Sequence, residues 1–411
     1  MGLTRRGAVV AGMAAAAAPA LLRAAPLGSG GRAVVVGAGV FGAWTAEHLR
    51  RAGVATTLVD AWGPAHARAS SGGESRMTRA GYGKDAVYSR MAAASLVEWR
   101  RLSSGAGLPL FHETGVLFFG PPTEAYLSDS AAVLGRLRIA HQLLDTPALR
   151  RRFPMIAFDD RTIGLLEPQF GALMARRAVQ ALVARFVAAG GRYAQQAIAP
   201  PPVEGRLRAV TTTSGESLEA DLFVFACGPW LGKLFPDLLG RRIFPTRQEV
   251  FFFAPPAGDT RFLPGSLPGW ADFNGGDIYY GFPDLEARGF KIAHDAHGPA
   301  TDPDTNDRLP SAAALADIRA FLARRFPALA DRPLVEARVC QYENSASGDL
   351  LIDRHPQASN VVLVGAGSGH GFKHGPEVGR YAAVLATGTL GAPEPRFSLA
   401  SKSERQLRAV H

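Results

Sequence analysis

Three glycines and a carboxylate carry the first legible chemistry of this chain. In Ala33-Val-Val-Val-Gly-Ala-Gly-Val-Phe-Gly42 an apolar, β-branched strand runs into Gly37, Gly39 and Gly42, the G-x-G-x-x-G spacing of a dinucleotide cradle. Gly37 permits a tight turn, Gly39 lets backbone approach a pyrophosphate, and Gly42 lets the next helix pack close to the sheet. Val40 and Phe41 open that helix, whose first N–H groups and partial positive charge favour phosphate. Thr56-Thr-Leu-Val-Asp60 reads as a second strand, and Asp60, eighteen residues beyond Gly42, is spaced to accept both hydroxyls of an adenosine ribose. A 2′-phosphate would be repelled there, so NADP is disfavoured. The fingerprint alone leaves NAD and FAD open.

These residues need a sheet to hold them, and the rest of the chain supplies its strands in pieces. Ala220 to Trp230 is an apolar strand broken at Gly228, and Val361-Val-Leu-Val364 is another, leading into Gly365-Ala-Gly-Ser-Gly-His-Gly371 and a final helix from about Pro376 to Thr387. That second glycine-rich turn, with Gly369, His370 and Gly371, offers further N–H donors to the same ligand, which favours a permanently held prosthetic group. Helical spacing is also expected from Val87 to Leu102, Leu173 to Ala189 and Ala312 to Phe326, and a partly exposed helical stretch from Pro121 to Arg152. Arg76 and Arg79, three apart, would share one side of a helical turn. Ile243 to Ala293 is strand-rich. The expected class is α/β: a Rossmann-like dinucleotide-binding domain, discontinuous over residues 32–100, 150–240 and 341–390, with an inserted mixed β-sheet substrate domain over 101–149 and 241–340 and a tail over 391–411.

At 411 residues the chain is long enough for two cores. Its net charge of +9 includes Arg5, Arg6 and Arg23 and is otherwise spread out, without the clustered stripe that nucleic-acid binding needs. Residues 1–26 pair Arg5-Arg6 with a short alanine-rich apolar run, the layout of a twin-arginine export signal. That implies the twin-arginine machinery as partner and a periplasmic or secreted destination, with no membrane span. Cys227 and Cys340 are too few and too far apart for a disulfide framework, and a lone cysteine ordinarily packs as a small hydrophobe. The ten histidines are scattered without metal-ligand spacing, so no metal is expected.

Four motifs, Ser71-Gly-Gly-Glu-Ser-Arg76 with Arg79, Tyr279-Tyr-Gly-Phe-Pro283 with Lys291, Cys340-Gln-Tyr342 leading to Leu351-Ile-Asp353, and Gly369-His-Gly-Phe-Lys373, occur in that order. With the glycine fingerprint they make the chain resemble the monomeric sarcosine oxidase and N-methyltryptophan oxidase group of the D-amino-acid-oxidase-like flavoproteins, from Arg32 to about Thr387. The resemblance implies FAD, bonded covalently through a thioether from Cys340 to the flavin 8α-methyl carbon, with Ser75, Arg76 and the second glycine turn against the cofactor. It implies Lys291, eleven residues after Tyr280, as the cation that helps O₂ accept an electron, and Arg79 and Lys373 as the binders of a substrate carboxylate. Tyr280 and Tyr342 would line the amine site.

Two departures bear on substrate. Ser71-Gly72 replaces family histidines, and Asp295 stands where the family has a substrate-site histidine, flanked by His294 and His297, of which either, given a bulged strand, or neither takes that histidine's place. The implied activity is an exported, monomeric FAD-dependent amine oxidase converting a secondary or N-methyl amino acid to an imine and O₂ to H₂O₂. The rivals are a dehydrogenase of the same fold that feeds a quinone or carrier, and a non-catalytic exported flavin-binding protein.

Overall fold

The computed structural model describes residues 30–274, 277–296, 298–389 and 394–406. The expected export segment, His297 and parts of the 391–411 tail lie outside these residues.

Strand β1 (Arg32–Val36) is central because its valines are buried on both faces, as a parallel strand covered by helices requires. The six-stranded sheet around it runs Leu351–His355, Ala358–Gly365, Leu222–Phe225, β1, β2 (Ala55–Asp60) and Arg192–Gln195. Only the first pair is antiparallel. Early, middle and late parts of the chain therefore share one sheet, and the α/β class with an interrupted Rossmann-like sheet is correct.

The turn out of β1 is set by contact distance. Gly37 has φ +104°, and a Cβ on it would stand 2.3 Å from the Ala226 carbonyl oxygen. Helix α1 (Val40–Arg51) passes so close that a Cβ on Gly42 would lie 1.8 Å from the Gly37 carbonyl oxygen. Gly39 brings no capping side chain, and Ser71 acts from a distance, accepting the Val40 N–H at 3.0 Å.

The second sheet has eight strands in the order Leu334–Asn344, Phe244–Phe253, Phe290–His294, Asp277–Phe282, Gly269–Asn274, Val116–Gly120, Ile163–Glu167 and Gln142–Leu144. One face packs Phe251, Trp270, Tyr279 and Ile292 against Phe321 and Phe326 of the helix segment around Ala312–Arg325. Alternation sends Tyr280, Phe252 and Ala293 to the other face.

Three expectations are corrected here. Arg76 lies on a strand, β3 (Ser75–Thr78), because Ser75–Thr78 pairs antiparallel with Gly171–Met174, and that ladder overrides the helical spacing of Arg76 and Arg79. Ile163–Glu167 falls in the segment expected in the nucleotide-binding sheet, yet its apolar run pairs with Val116–Gly120 and Gln142–Leu144 in the eight-stranded one. The stretch from Pro121 to Arg152 is not all helix: Ala125–Arg136 and Thr146–Arg152 are, with the edge strand Gln142–Leu144 between.

The Gly42 contact gives a direct test. Gly42→Ala must push α1 away from the turn, and urea unfolding should show a loss of about 3 kcal/mol or more, the upper range for overpacking. A variant as stable as the parent would contradict the close approach.

Candidate active site

A cavity of about 470 Å³ opens at the carboxyl ends of the parallel strands, where ligands bind in folds of this type. Gly37, Gly39, Val40 and Phe41 line it from the first turn, Asp60 from β2, and Gly369 and Gly371 from the second. Arg76 and Tyr342, also on its wall, are shared with a chamber of about 90 Å³ that adds Arg79, Tyr280, Asp295, His370 and Lys373.

The larger cavity fits a dinucleotide. A Cβ on Gly39 would meet nothing closer than the Ser71 hydroxyl at 3.5 Å, so backbone faces open space where a phosphate would lie. Asp60 Oδ2 accepts the Ala38 N–H at 2.8 Å, and Oδ1 accepts those of Trp62 and Gly63 at 2.9 and 3.0 Å. These bonds fix the carboxylate and leave it lone pairs for ribose hydroxyls. Trp62 and Trp230, with ring centres 4.9 Å apart, add an aromatic wall that sequence reading missed. Gly42 does not line the cavity: it serves packing alone.

The reactive end is built around buried and half-buried cations. The Arg76 guanidinium donates to the carbonyls of Ser75 at 2.9 Å and Ser70 at 2.8 Å, and to Cys340 Sγ at 3.3 Å. Cys340 is half-buried and not itself on the cavity wall; it borders it through Arg76 and Ser70. Lys291 also sits one layer back, its Nζ donating to the Ser75 carbonyl at 2.8 Å and hydroxyl at 3.2 Å. Ser75, expected at the cofactor, is thus the holder of the lysine, because a buried ammonium takes the strongest acceptors within reach. Burial, and then the Arg76 charge, push the Lys291 pKa well down.

In the chamber, Lys373 Nζ donates to the Tyr82 hydroxyl and the His370 carbonyl, both at 2.8 Å. Tyr82 also meets His374 Nε2 at 2.7 Å and His370 Nδ1 at 3.2 Å. Burial, then Lys373 and Arg79, push the His374 pKa well down, so this imidazole is neutral. Arg79 lies 4.0 Å over the Tyr82 ring and donates to the Gly81 carbonyl and to Tyr126. His370 turns its ring into protein, with Nε2 3.0 Å from the Gly348 carbonyl. Burial pushes the Tyr280 hydroxyl up to about 12 and that of Tyr342 well above its ordinary value, so both stay protonated, and Tyr342 donates to Asp295 at 3.0 Å.

His294 is not a substrate residue in this arrangement. Its Nδ1 and Nε2 meet Asp317 and Asp277, and its ring stacks on Tyr279 at 4.3 Å, on the sheet face away from Tyr280. Strand parity decides this: Lys291 and Ala293 share the Tyr280 face, and Asp295 continues it into the chamber. Among the described residues no cluster could hold a metal ion, and no helix is long and apolar enough to cross a membrane.

Fold, cavity and site define a flavin-dependent oxidoreductase: residues 32–385 match the FAD dependent oxidoreductase family, and the chain belongs to it. It is 31% identical over 366 residues to the monomeric sarcosine oxidase of a Bacillus species, covering 86% of this chain and 91% of that protein. It is also 31% identical to the human peroxisomal sarcosine oxidase, over 85% of this chain and 90% of that one. The structure of NikD, an unusual amino acid oxidase essential for nikkomycin biosynthesis, superposes with a TM-score of 0.74 at 23% identity, covering 89% of this chain and 96% of that one.

Tyr82 joins Lys373, His370 and His374. Tyr82→Phe removes the hydroxyl that Lys373 and His374 share, and chemical unfolding should show a loss of about 1–3 kcal/mol, the cost of buried groups left unpaired. An unchanged midpoint would exclude this junction.

Proposed function

We propose that the protein is an exported FAD-dependent amine oxidase that converts a secondary or N-methyl amino acid to an imine while O₂ is reduced to H₂O₂. The observation that carries this reading is the chamber's composition: Arg79 and Lys373, two tyrosine hydroxyls and one carboxylate, continuous with the cavity that fits FAD. The sarcosine oxidase relatives support the secondary amine.

Arg79 and Lys373 receive the substrate carboxylate, the guanidinium by its fork and the ammonium as a point charge. Tyr280, Tyr342 and Asp295 surround the nitrogen with ring faces, hydroxyls and a carboxylate. Bound FAD supplies a two-electron acceptor. The nitrogen must lose its extra proton before a hydride equivalent leaves the α-carbon, because its lone pair stabilises the iminium. The Asp295 carboxylate, oriented by Tyr342, takes that proton. Water then hydrolyses the imine.

Lys291 serves the oxygen half-reaction. Reduction of O₂ first develops an anion, which an ammonium in a low-dielectric site stabilises. Cys340 is the proposed thioether residue, next to Arg76. Residues 1–26 would carry the loaded, monomeric enzyme through the twin-arginine pathway to the periplasm or medium.

Anaerobic titration with sarcosine and other N-methyl amino acids should bleach the flavin, and a flavin that no amine bleaches would refute the reading. Lys291→Met should be reduced by substrate as fast as the parent yet reoxidised by O₂ at least about tenfold more slowly, an effect of at least about 1.4 kcal/mol in stopped flow. Because the Lys291 pKa is lowered, its ammonium is lost earlier than for an ordinary lysine as pH rises. Reoxidation of the parent should therefore decline with rising pH, with a midpoint below the ordinary lysine value, and the decline should be missing from Lys291→Met. Asp295→Asn should slow flavin reduction much more than reoxidation; equal effects on both would remove Asp295 from the amine step.

A further inference from the structure

Glu167 is a buried acid that the reaction above does not use. It ends the strand Ile163–Glu167, is 1% exposed, and lines neither the cavity nor the chamber. Its side chain reaches back to the segment that follows β3: Oε2 accepts the Ala80 N–H at 2.7 Å and Oε1 accepts the Gly81 N–H at 3.0 Å. Both oxygens act as acceptors toward two successive backbone donors, the arrangement that suits a carboxylate. Glycine leaves room for it, since a Cβ on Gly81 would stand 3.0 Å from Oε1.

Residues 79–81 belong to no helix or strand, so no ladder fixes them and their N–H groups need partners from elsewhere. What this short segment carries is the cation-binding half of the chamber. The Gly81 carbonyl accepts from the Arg79 guanidinium and from the Tyr126 hydroxyl, the latter at 3.1 Å. Tyr82 comes next: its ring lies 4.0 Å below the Arg79 guanidinium, and its hydroxyl accepts from Lys373 Nζ at 2.8 Å. Beyond Tyr82, the Ser130 hydroxyl accepts the Gly83 N–H at 2.7 Å and pins the far end.

One carboxylate therefore grips the backbone between the two cation holders. Its own place is fixed on both sides, because the chain before it pairs with Val116–Gly120 and the chain after it, Gly171–Met174, pairs with β3. Burial raises the Glu167 pKa, and the two N–H groups, Arg79 and Lys373 pull the other way, so the same carboxylate also feels the charge of the chamber.

We propose that Glu167 is a positioning residue for substrate binding: by holding the Ala80 and Gly81 N–H groups it aims the Arg79 guanidinium and, through Tyr82, the Lys373 ammonium at one substrate carboxylate. This rests on the reading that those two cations receive that carboxylate. Glutamine has the shape of glutamate but turns an NH₂ group toward one of the two N–H donors, so the segment must shift. Arg79 and Lys373 keep their charge in that variant and lose their aim.

The test is anaerobic stopped-flow reduction of the holoenzyme by sarcosine and by sarcosinamide, which lacks the carboxylate charge. The concentration dependence gives a dissociation constant for each, and their ratio reads recognition of the carboxylate. The parent should bind sarcosine more tightly than the amide. Glu167→Gln should bind sarcosine at least about tenfold more weakly and the amide within about threefold of the parent, as a displaced clamp implies. Reoxidation of the reduced variant by O₂, which depends on Lys291 from another strand, should stay within about threefold of the parent. A role in stability alone would lower the unfolding midpoint and leave the ratio where it was. If Glu167→Gln fails to fold, Glu167→Asp decides on the same ratio, because it keeps the charge but is one methylene short of the two donors. An unchanged ratio, or reoxidation slowed as much as sarcosine binding is weakened, would overturn the proposal and leave the carboxylate reading standing. A parent that binds sarcosine and its amide alike would remove the carboxylate reading, and this proposal with it.

Discussion

Four cations gathered at one end of the cavity and its chamber, Lys291 and Lys373 buried and Arg76 and Arg79 half-buried, are the constraint on which the rest of the structure depends. Arg76, Arg79, Lys291 and Lys373 come from β3, the residues after it, the strand Phe290–His294 and the turn before the last helix. An unpaired charge in the interior is expensive unless polar groups surround it. The surrounding groups here include backbone carbonyls: Ser70 and Ser75 for Arg76, Ser75 for Lys291, Gly81 for Arg79 and His370 for Lys373. Carbonyl dipoles hold a cation without cancelling its charge. The result is a site preorganised for anions, whether a substrate carboxylate, a reduced flavin or nascent superoxide.

Two sheets make this possible by meeting at the cavity. Sheet parity places Tyr280 and Lys291 on the site face of the eight-stranded sheet while Tyr279, Ile292 and His294 pack behind it. The same alternation on Leu334–Asn344 sends Cys340 and Tyr342 toward Arg76 and Asp295, and Gln341 and Glu343 toward Arg68 and the second glycine turn. One strand thus serves both the reacting end and the middle of the cofactor cavity. The six-stranded sheet supplies the opposite wall through two tight turns, each permitted by glycines whose replacement would drive carbon into backbone or neighbouring side chains.

Much of this was legible because the demands are local. Gly37, Gly39 and Asp60 announce themselves by spacing, since a turn, a close approach and a ribose acceptor each constrain one position. Arg79, Lys373, Tyr280 and Tyr342 were placed by resemblance and share a chamber in the structure. His294 was misplaced although the sequence held the answer: counting from Lys291 by twos reaches Asp295. Arg76 was read as helical because i,i+3 spacing carries no record of the strand Gly171–Met174, nearly a hundred residues later, that pairs with it. Tyr82, His374 and Glu343 went unnoticed because their importance arises from contacts across long sequence separations: Tyr82 with His374, and Glu343 with a turn reached only after another hairpin. The only sequence signal for His374 and Glu343 is adjacency to Lys373 and Tyr342, and for Tyr82 its place three residues after Arg79.

The central claim is that one flavin spans the cavity from Asp60 to the Arg76–Cys340 pair. It is tested most directly by acid precipitation of the purified protein, followed by peptide mass mapping of the pellet. A flavin tethered at Cys340 gives a yellow pellet whose flavin mass travels with the peptide containing Cys340 and is lost in Cys340→Ser. A colourless pellet, or flavin on any other peptide, would contradict it.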